Sequence, residues 1–375
     1  MDSQETVTLA NWRLSPWNRW AFHHVSELVP VAVIPADPAR TRPLEPGAAL
    51  PDRLPDGTGL EQTLRETETD GFLVLRGGKV AFEWYGNGLD ADTPHIVFSI
   101  SKSISAILTG ILVGQGRLDP DAPVVSILPE VAGSAYADCT VRHVLDMTVS
   151  IVFDESYLDP DGAFARYRQA MGWNPAADPA KTPGLHAFLT TLPRGDRPHG
   201  ERFHYVSPNS DLLGWIIERA GGRRYPELLS QLIWQPMGAA HDAYVTIDRA
   251  GASRSAGGVC VTLRDLARFG EMLRQGGAGI VPPAWIDDIR SNGDRAAWTR
   301  GDMSVLMPQG RYRSKWYMTG NDHGAWCGIG IHGQWLYIDP VSETVIAKMS
   351  SQALPVDDPT DVRLLRLFEQ IGQIA

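Results

Sequence analysis

The sequence predicts an α/β fold of the α+β type, in which an antiparallel sheet is flanked by helices and an all-helical lobe is inserted. Strand-like patterns occur near both ends of the chain, at residues 71–83 and 334–350, and helical periodicity fills most of the region between them. Because 375 residues with 43% hydrophobic content can bury a large core, we expect one compact body of two lobes.

Composition divides the chain into an arm and two lobes. Residues 36–57 are rich in proline, arginine and aspartate, which is typical of a surface crossing. Before this linker lie Trp12, Trp17 and Trp20, which we expect to dock on the body. The predicted segments are residues 1–57 for the arm and linker packed on the body, residues 58–115 and 262–375 for the α/β lobe, and residues 116–261 for the helical lobe.

The individual elements follow from local patterns. Two apolar runs flank Gly77 and Gly78 and predict a hairpin over residues 71–83. Small and apolar residues from 99 to 113 predict a helix buried in the core. The other predicted elements are helices at residues 140–147, 209–220, 262–274 and 361–374, and a hairpin of strands 334–339 and 344–350.

The charge balance argues against two classes of partner. The chain has 34 basic and 44 acidic residues, a net charge of -10. Nucleic acids and anionic membranes both attract clustered Lys and Arg, so neither is expected as a main partner. The N-terminus lacks the pattern of a secretory signal, and no apolar run is long enough to span a bilayer, which predicts a cytoplasmic protein. The oligomeric state stays open, with a homodimer as one alternative.

Cysteine and histidine spacing gives no sign of a metal site. Cys139, Cys260 and Cys327 are far apart in sequence and form no C-x-x-C pair, so neither a disulfide framework nor a zinc knuckle is indicated. The ten histidines show no H-E-x-x-H or similar spacing, which argues against a zinc hydrolase. The chain also lacks a P-loop, a dinucleotide fingerprint and a G-x-S-x-G elbow.

One serine and one lysine stand out as candidate catalytic residues. Ser99 and Lys102 are three positions apart near a helix start, so their side chains share one face. The helix start offers N–H groups to an oxyanion, and burial of Lys102 lowers its pKa, so that its amine can accept the serine proton. A plain alternative stays open for this short motif: Ser99 caps the helix and Lys102 extends to solvent.

Three elements in order make the motif more specific. The first is residues 98–103 (FSISKS), followed by a helix that ends in GQGRLDP. The second is residues 203–209 (FHYVSPN), and the third is residues 326–330 (WCGIG) before a strand. Together they resemble the S-x-x-K, tyrosine and K-T-G motifs of the serine β-lactamase and DD-peptidase superfamily, particularly its class C-like esterase branch. The resemblance is stronger still to the 6-aminohexanoate-dimer (nylon-oligomer) hydrolases and extends over nearly the whole chain.

This resemblance implies a β-lactamase-like fold, acyl transfer through an acyl-serine intermediate, and no metal or organic cofactor. It implies that Tyr205 shares proton transfer with Lys102. The backbone N–H groups of Ser99 and Ile329 would form the oxyanion hole. Tyr157 matches a loop tyrosine that closes over the substrate in the nylon-oligomer hydrolases; a packing role is the alternative.

Two positions depart from the family pattern. Trp326 stands where β-lactamases and peptidases have a cation for the substrate carboxylate, which argues against a β-lactam or peptidoglycan substrate. Arg168 aligns with an acidic residue that receives the substrate ammonium group in the nylon-oligomer hydrolases, which argues against the 6-aminohexanoate dimer. Both positions are therefore predicted to affect substrate binding.

The leading hypothesis is a serine hydrolase, a carboxylesterase or amidase, that cleaves small linear esters or amides. A β-lactamase or DD-peptidase is the second enzyme hypothesis. The third is a non-catalytic binding protein on the same fold, although such proteins usually lose the serine or the lysine, and this chain has both.

Overall fold

The computed structural model describes residues 6–374, and within them eleven strands and thirteen α-helices. The strands are β1 (Val31–Ile34), β2 (Thr69–Arg76), β3 (Lys79–Tyr85), β4 (His95–Ile96), β5 (Ala243–Thr246), β6 (Val259–Val261), β7 (Arg311–Arg313), β8 (Trp316–Met318), β9 (Trp326–Gly330), β10 (Gln334–Asp339) and β11 (Thr344–Ser350). The helices are α1 (Asn18–Ala21), α2 (Leu60–Glu66), α3 (Ile100–Gly114), α4 (Val124–Ile127), α5 (Val141–Leu145), α6 (Ala163–Ala170), α7 (Leu185–Leu189), α8 (Pro208–Gly221), α9 (Tyr225–Leu229), α10 (Leu263–Arg274), α11 (Pro283–Ser291), α12 (Arg295–Thr299) and α13 (Asp358–Gln373).

The main sheet has seven strands in the order β3-β2-β11-β10-β9-β8-β7, and all its pairs are antiparallel. It therefore takes strands from both halves of the chain, with most of the helices between them in sequence. The antiparallel sheet flanked by helices agrees with the fold class that the sequence predicts.

Both faces of this sheet are buried, because side chains along each strand alternate between two apolar clusters. In β2, Leu73 and Leu75 belong to the cluster that contains α3 and α10, whereas Phe72 and Val74 belong to the cluster that contains α13. The aromatic ring of Phe368 on α13 packs against the second face. The result is a helix–sheet–helix arrangement with the strands buried in the middle layer.

A second sheet of four strands, in the order β1-β5-β6-β4, was not predicted. It pairs β1 from the N-terminal arm with β5 from the middle of the chain, and β6 with the two-residue strand β4. Its strands have two to four residues each, too few for a clear period of two in the sequence. This sheet matters for the site because β4 ends three residues before Ser99.

The predicted hairpins and long helices are confirmed within a few residues. β10 and β11 have the predicted bounds, and β2 and β3 are joined by Gly77 and Gly78, both with positive φ. Helix α3 is buried along nearly its whole length. Helix α10 begins after Thr262, whose hydroxyl accepts a hydrogen bond from the Asp265 N–H at 3.2 Å.

The expectation for the arm is only partly correct. Trp12 is fully buried, but Trp17 is half-buried and Trp20 is 39% exposed and stacks on His24. The predicted division of the chain into an arm and two lobes stays a prediction. Among residues 6–374, no helix is long and apolar enough to cross a membrane.

Candidate active site

Ser99 lies in a tight turn between β4 and α3. Residue Phe98, just before it, has φ of 40°, a left-handed conformation that is unfavourable for a residue with a side chain. The turn is held because the Val97 N–H donates to the carbonyl oxygen of Val259, next to the pairing of β4 with β6. Ser99 makes no side-chain capping bond to α3 within the described part of the chain, so its hydroxyl is available for chemistry.

Lys102, in the first turn of α3, points at Ser99. Its Nζ donates to Ser99 Oγ at 2.7 Å and to the carbonyl oxygen of Ala256 at 2.7 Å. Lys102 is only 2% exposed. The alternative in which it extends to solvent is therefore wrong, and the alternative in which Ser99 serves as a helix cap has no bond to support it.

Burial makes Lys102 an unusually weak cation. Removal from water lowers its pKa to about 7, Glu155 and Asp211 counteract this, and Arg254 adds to it. Arg254 is itself paired with Asp211 in the core, where it also donates to Tyr167 Oη at 2.7 Å. A substantial fraction of Lys102 is thus a neutral amine near pH 7, able to accept a proton from Ser99.

Tyr205 lies next to this pair. The Nζ of Lys102 is 5.0 Å from the centre of the Tyr205 ring. Burial, together with Glu155, raises the pKa of Tyr205, and the side chains of Ser99 and Tyr317 counteract this. Tyr205 therefore keeps its proton at neutral pH, and its position just before α8 is anchored where the His204 N–H donates to Met147 O at 2.8 Å.

Glu155 connects the Tyr157 loop to the segment that carries Tyr205. Tyr157 Oη donates to Glu155 Oε1 at 2.9 Å, and both the backbone N–H and the hydroxyl of Ser207 donate to the same carboxylate. Burial raises the pKa of Tyr157 well above its usual value, with Glu155 acting in the same direction. Glu155 thus holds Tyr157 over the cleft beside Ser99.

The backbone of β9 approaches α3 closely at Gly328. A Cβ built there would be 2.9 Å from Ser103 Oγ, so a larger residue would push β9 and α3 apart. The next residue, Ile329, lines the cleft together with Ser99. In residues 6–374 the Ser99 N–H has no acceptor, which leaves it available to an oxyanion.

Two cavities meet at Ser99 and Tyr157. The first contains arginine and aromatic side chains; the second, which is the larger, contains Tyr205 and several carboxylates. The first is lined by residues that include Arg13, Phe98, Phe164, Arg168, Trp173 and Ile331. The second is lined by residues that include Glu155, Tyr205, Asp302, Tyr317, Ile329, Asp358 and Asp361.

Arg168 is buried in the wall of the first cavity. Its guanidinium lies over the Phe164 ring at 4.8 Å and donates to the carbonyl oxygen of Tyr157. Burial lowers the pKa of Arg168, and Tyr157 counteracts this. Arg168 therefore has two effects. It holds the Tyr157 loop through a hydrogen bond, and it places a positive charge in the wall of the cavity.

Trp326 is not part of either cavity. It is 1% exposed and packs against Trp316, with ring centres 4.5 Å apart. The sequence predicts that Trp326 affects substrate binding because it aligns with a cation position. The structure instead buries its ring in the core, so Trp326 does not line the cleft.

Some residues of the site went unrecognised in the sequence. Arg13 comes from the N-terminal arm, and Ala256 contributes only a carbonyl oxygen, so neither belongs to a motif. Glu155 lies two positions before Tyr157 in the same loop, and that closeness in sequence was the one available signal. Within residues 6–374, no group of three or more His, Cys, Asp or Glu side chains is arranged to hold a metal ion.

Comparisons with known proteins agree with this geometry. The sequence profile of the Beta-lactamase family matches residues 58–370. The chain is 44% identical over 354 residues to the 6-aminohexanoate-dimer hydrolase of Paenarthrobacter ureafaciens, covering 92% of this chain and 88% of that protein. It is 27% identical over 210 residues to the esterase EstB of Burkholderia gladioli, half of each chain.

A solved structure from Bacillus anthracis, provisionally assigned as a 6-aminohexanoate-dimer hydrolase, superimposes with a TM-score of 0.89 at 25% identity. The match covers 99% of this chain and 98% of the other. The resemblance inferred from the three motifs is thus confirmed, and the alternative of a non-catalytic binding protein is not supported. The chain belongs to the β-lactamase family and is a serine hydrolase.

Proposed function

We propose that Ser99 is the nucleophile of an esterase or amidase that cleaves small linear substrates through an acyl-serine intermediate. The observation that carries this proposal is the 2.7 Å contact between Lys102 Nζ and Ser99 Oγ, buried where two cavities meet. A nucleophile and a base within hydrogen-bond distance, open to a cleft, are the minimum that acyl transfer requires.

The proton path begins at Lys102. In its neutral form the amine can keep one N–H on the Ala256 carbonyl and direct its lone pair to Ser99, because each partner lies 2.7 Å from the nitrogen. As Ser99 Oγ attacks the substrate carbonyl carbon, Lys102 accepts the serine proton. Tyr205, which stays protonated and lies near both groups, passes a proton to the leaving alcohol or amine.

The developing oxyanion would accept hydrogen bonds from the N–H groups of Ser99 and Ile329. Both residues line the second cavity, so the carbonyl oxygen lies at its wall. Such fixed donors are worth on the order of 10²–10³-fold in rate. Water then attacks the acyl-serine along the same proton path and releases the acid.

Esters and amides without a β-lactam ring fit this cleft best. Asp302 and Asp358 line the second cavity, where a leaving group departs, and would repel a carboxylate on that side. The 6-aminohexanoate dimer is the substrate named for the relative from Paenarthrobacter ureafaciens. In this chain Arg168 lines the first cavity and opposes an ammonium group there, so weak cleavage of that dimer is expected.

A labelling experiment tests the proposal. A fluorophosphonate probe should modify the purified protein at Ser99, as located by peptide mass spectrometry, and Ser99→Ala should abolish the label. Short-chain 4-nitrophenyl esters should be cleaved and the cephalosporin nitrocefin should not. Lys102→Met and Tyr205→Phe should each lower kcat for the ester by on the order of 10²-fold or more.

The contrary outcomes are specific. A label on Ser101 or Ser207 would refute the nucleophile. Full activity of Tyr205→Phe would remove the tyrosine from the proton path, and nitrocefin turnover comparable with ester turnover would favour the β-lactamase hypothesis.

A further inference from the structure

Within residues 6–374, two arginines in the wall of the first cavity have no carboxylate to balance them. Arg13 comes from the N-terminal arm and Arg168 from α6, and both line the space beside Ser99. Among the described residues neither has an acidic partner within 4.0 Å, and the buried Nε of each lacks a hydrogen-bond acceptor. Their hydrogen bonds go to the Asn174 side chain for Arg13 and to the Tyr157 carbonyl for Arg168. Each guanidinium also lies over an aromatic ring, that of Trp12 for Arg13 and that of Phe164 for Arg168.

The two guanidinium groups also act on each other. Burial lowers the pKa of Arg13 to about 9, and the charge of Arg168 lowers it further. Two cations held together in a partly dry cavity are unfavourable unless an anion joins them. The other basic residues there do not change this balance, because Arg254 is paired with Asp211 and burial lowers the pKa of His332 to about 4.

The position of Tyr205 decides which part of a substrate enters this cavity. Tyr205 lines the second cavity and not the first, so a leaving group that takes its proton departs into the second. The acyl part of the substrate then occupies the first cavity. Phe98, Phe164 and Ile331 give that cavity an apolar wall that suits a short methylene chain.

We propose that the substrates are esters or amides whose acyl part ends in a carboxylate, which Arg13 and Arg168 bind together. This inference rests on the proposed function of Ser99. Short dicarboxylic acids linked through one end to an alcohol or an amine have this chemistry. Attack by Ser99 Oγ breaks the C–O or C–N bond, the leaving group takes the serine proton, and water releases the dicarboxylic acid.

The second cavity, in contrast, suits neutral or positively charged groups. Asp302, Asp358 and Asp361 give it an acidic lining, although Asp302 is paired with Arg202 on the surface and burial raises the pKa of Asp361 to about 7. A neutral or cationic leaving group therefore fits better than an anionic one. The two sides together orient the substrate, with its negative end in the first cavity.

Three 4-nitrophenyl esters with six-carbon acyl chains test the charge preference. They are the monoester of adipic acid, the neutral hexanoate and the cationic 6-aminohexanoate. We expect kcat/KM for the adipate monoester to exceed that for hexanoate by on the order of tenfold or more, and the 6-aminohexanoate ester to be the poorest of the three.

Variants of the two arginines test whether they cause the preference for the anionic ester. Arg168→Gln and Arg13→Gln should each lower the ratio of kcat/KM for adipate to that for hexanoate by about tenfold. The matched control is Arg166→Gln, because Arg166 is also on α6 but is exposed and donates to Asp161 O. That variant should keep the ratio of the unmodified protein. A preference for hexanoate, or a ratio unchanged in both Arg13 and Arg168 variants, would overturn the inference.

A binding measurement separates this inference from the catalytic proposal. Calorimetric titration with free adipate needs no turnover, and should detect millimolar or tighter binding that Arg168→Gln abolishes and Arg166→Gln retains. If no ester is cleaved and Ser99 is not labelled, the catalytic proposal fails. Adipate binding still shows in that case whether the two arginines form an anion site. If adipate does not bind, the anion site is wrong even in an active esterase.

Discussion

The amino group of Lys102 is able to act as a base because of where it lies. It is surrounded by protein on all sides, and its two hydrogen-bond partners, Ser99 Oγ and Ala256 O, carry no charge. Two charged side chains act on its pKa in opposite directions: Glu155 favours the ammonium form and Arg254 disfavours it. Burial dominates, which brings the pKa of Lys102 close to neutral.

A pH profile tests this directly. Below pH 7 Lys102 is an ammonium group and cannot accept the Ser99 proton, so activity should fall as the pH decreases. We expect kcat/KM for a neutral ester to rise with an apparent pKa of about 7 and to level off above it. The measurement is the initial rate of 4-nitrophenyl hexanoate hydrolysis between pH 5 and 9.

One other group in the cleft titrates in the same range. Burial raises the pKa of Asp361 to about 7, and Lys348 counteracts this. The control is therefore Asp361→Asn, which should keep the rising limb if Lys102 is its source. Disappearance of the limb in Asp361→Asn, or a flat profile in the unmodified protein, would show that the base is not Lys102.

At the scale of elements, α3 is positioned by residues that are small. Gly110 lies in the middle of this buried helix, where glycine weakens a helix by about 1 kcal/mol relative to alanine. A Cβ at that position would be 2.3 Å from Trp285 Cδ1, on α11. The glycine therefore lets α11 pack directly on the helix that carries Lys102.

Gly110→Ala should consequently destabilise the protein despite the better helix propensity of alanine. Overpacking of this kind reduces the free energy of unfolding by about 1–3 kcal/mol. Urea denaturation followed by fluorescence measures the effect. The matched control is Gly133→Ala, since no atom lies within 4 Å of a Cβ there and Gly133 has no positive φ. Equal or higher stability of Gly110→Ala would contradict the close packing.

At the scale of the whole molecule, the site is assembled from distant parts of the chain. The arm contributes Arg13, the turn before α3 contributes Ser99, and β9 contributes Ile329. Trp12 is the main anchor of the arm: it packs edge-on against Phe22 and Trp173, and its indole N–H donates to Trp173 O at 3.1 Å. The arm is therefore a wall of the candidate active site as well as an extension of the fold.

Trp12→Ala should affect both stability and activity. Loss of a fully buried tryptophan costs about 3–5 kcal/mol of unfolding free energy, and it also removes support from Trp173 in the first cavity. Trp20→Ala is the control, because Trp20 is 39% exposed and should change stability by only about 0.5 kcal/mol. Thermal denaturation and ester hydrolysis measure the two effects, and similar behaviour of both variants would contradict a docked arm.

The sequence by itself determined the features that depend on neighbouring residues. Strand alternation and the Gly77-Gly78 turn predict the β2–β3 hairpin, and the bounds of β10 and β11 agree with the structure. The spacing of Ser99 and Lys102 places both on one face of a helix, and the order of three motifs identifies the family. These are local properties, because turn chemistry and helical or strand periodicity act over a few residues.

Only the tertiary structure decided the features that join distant residues. It buries Lys102 against the Ala256 carbonyl, pairs the short strands β4 and β6, and turns Trp326 into the core. It also brings Arg13 beside Arg168 across more than 150 residues of chain. Such pairings carry no local pattern, since they depend on how complete elements pack and on which charges that packing removes from water.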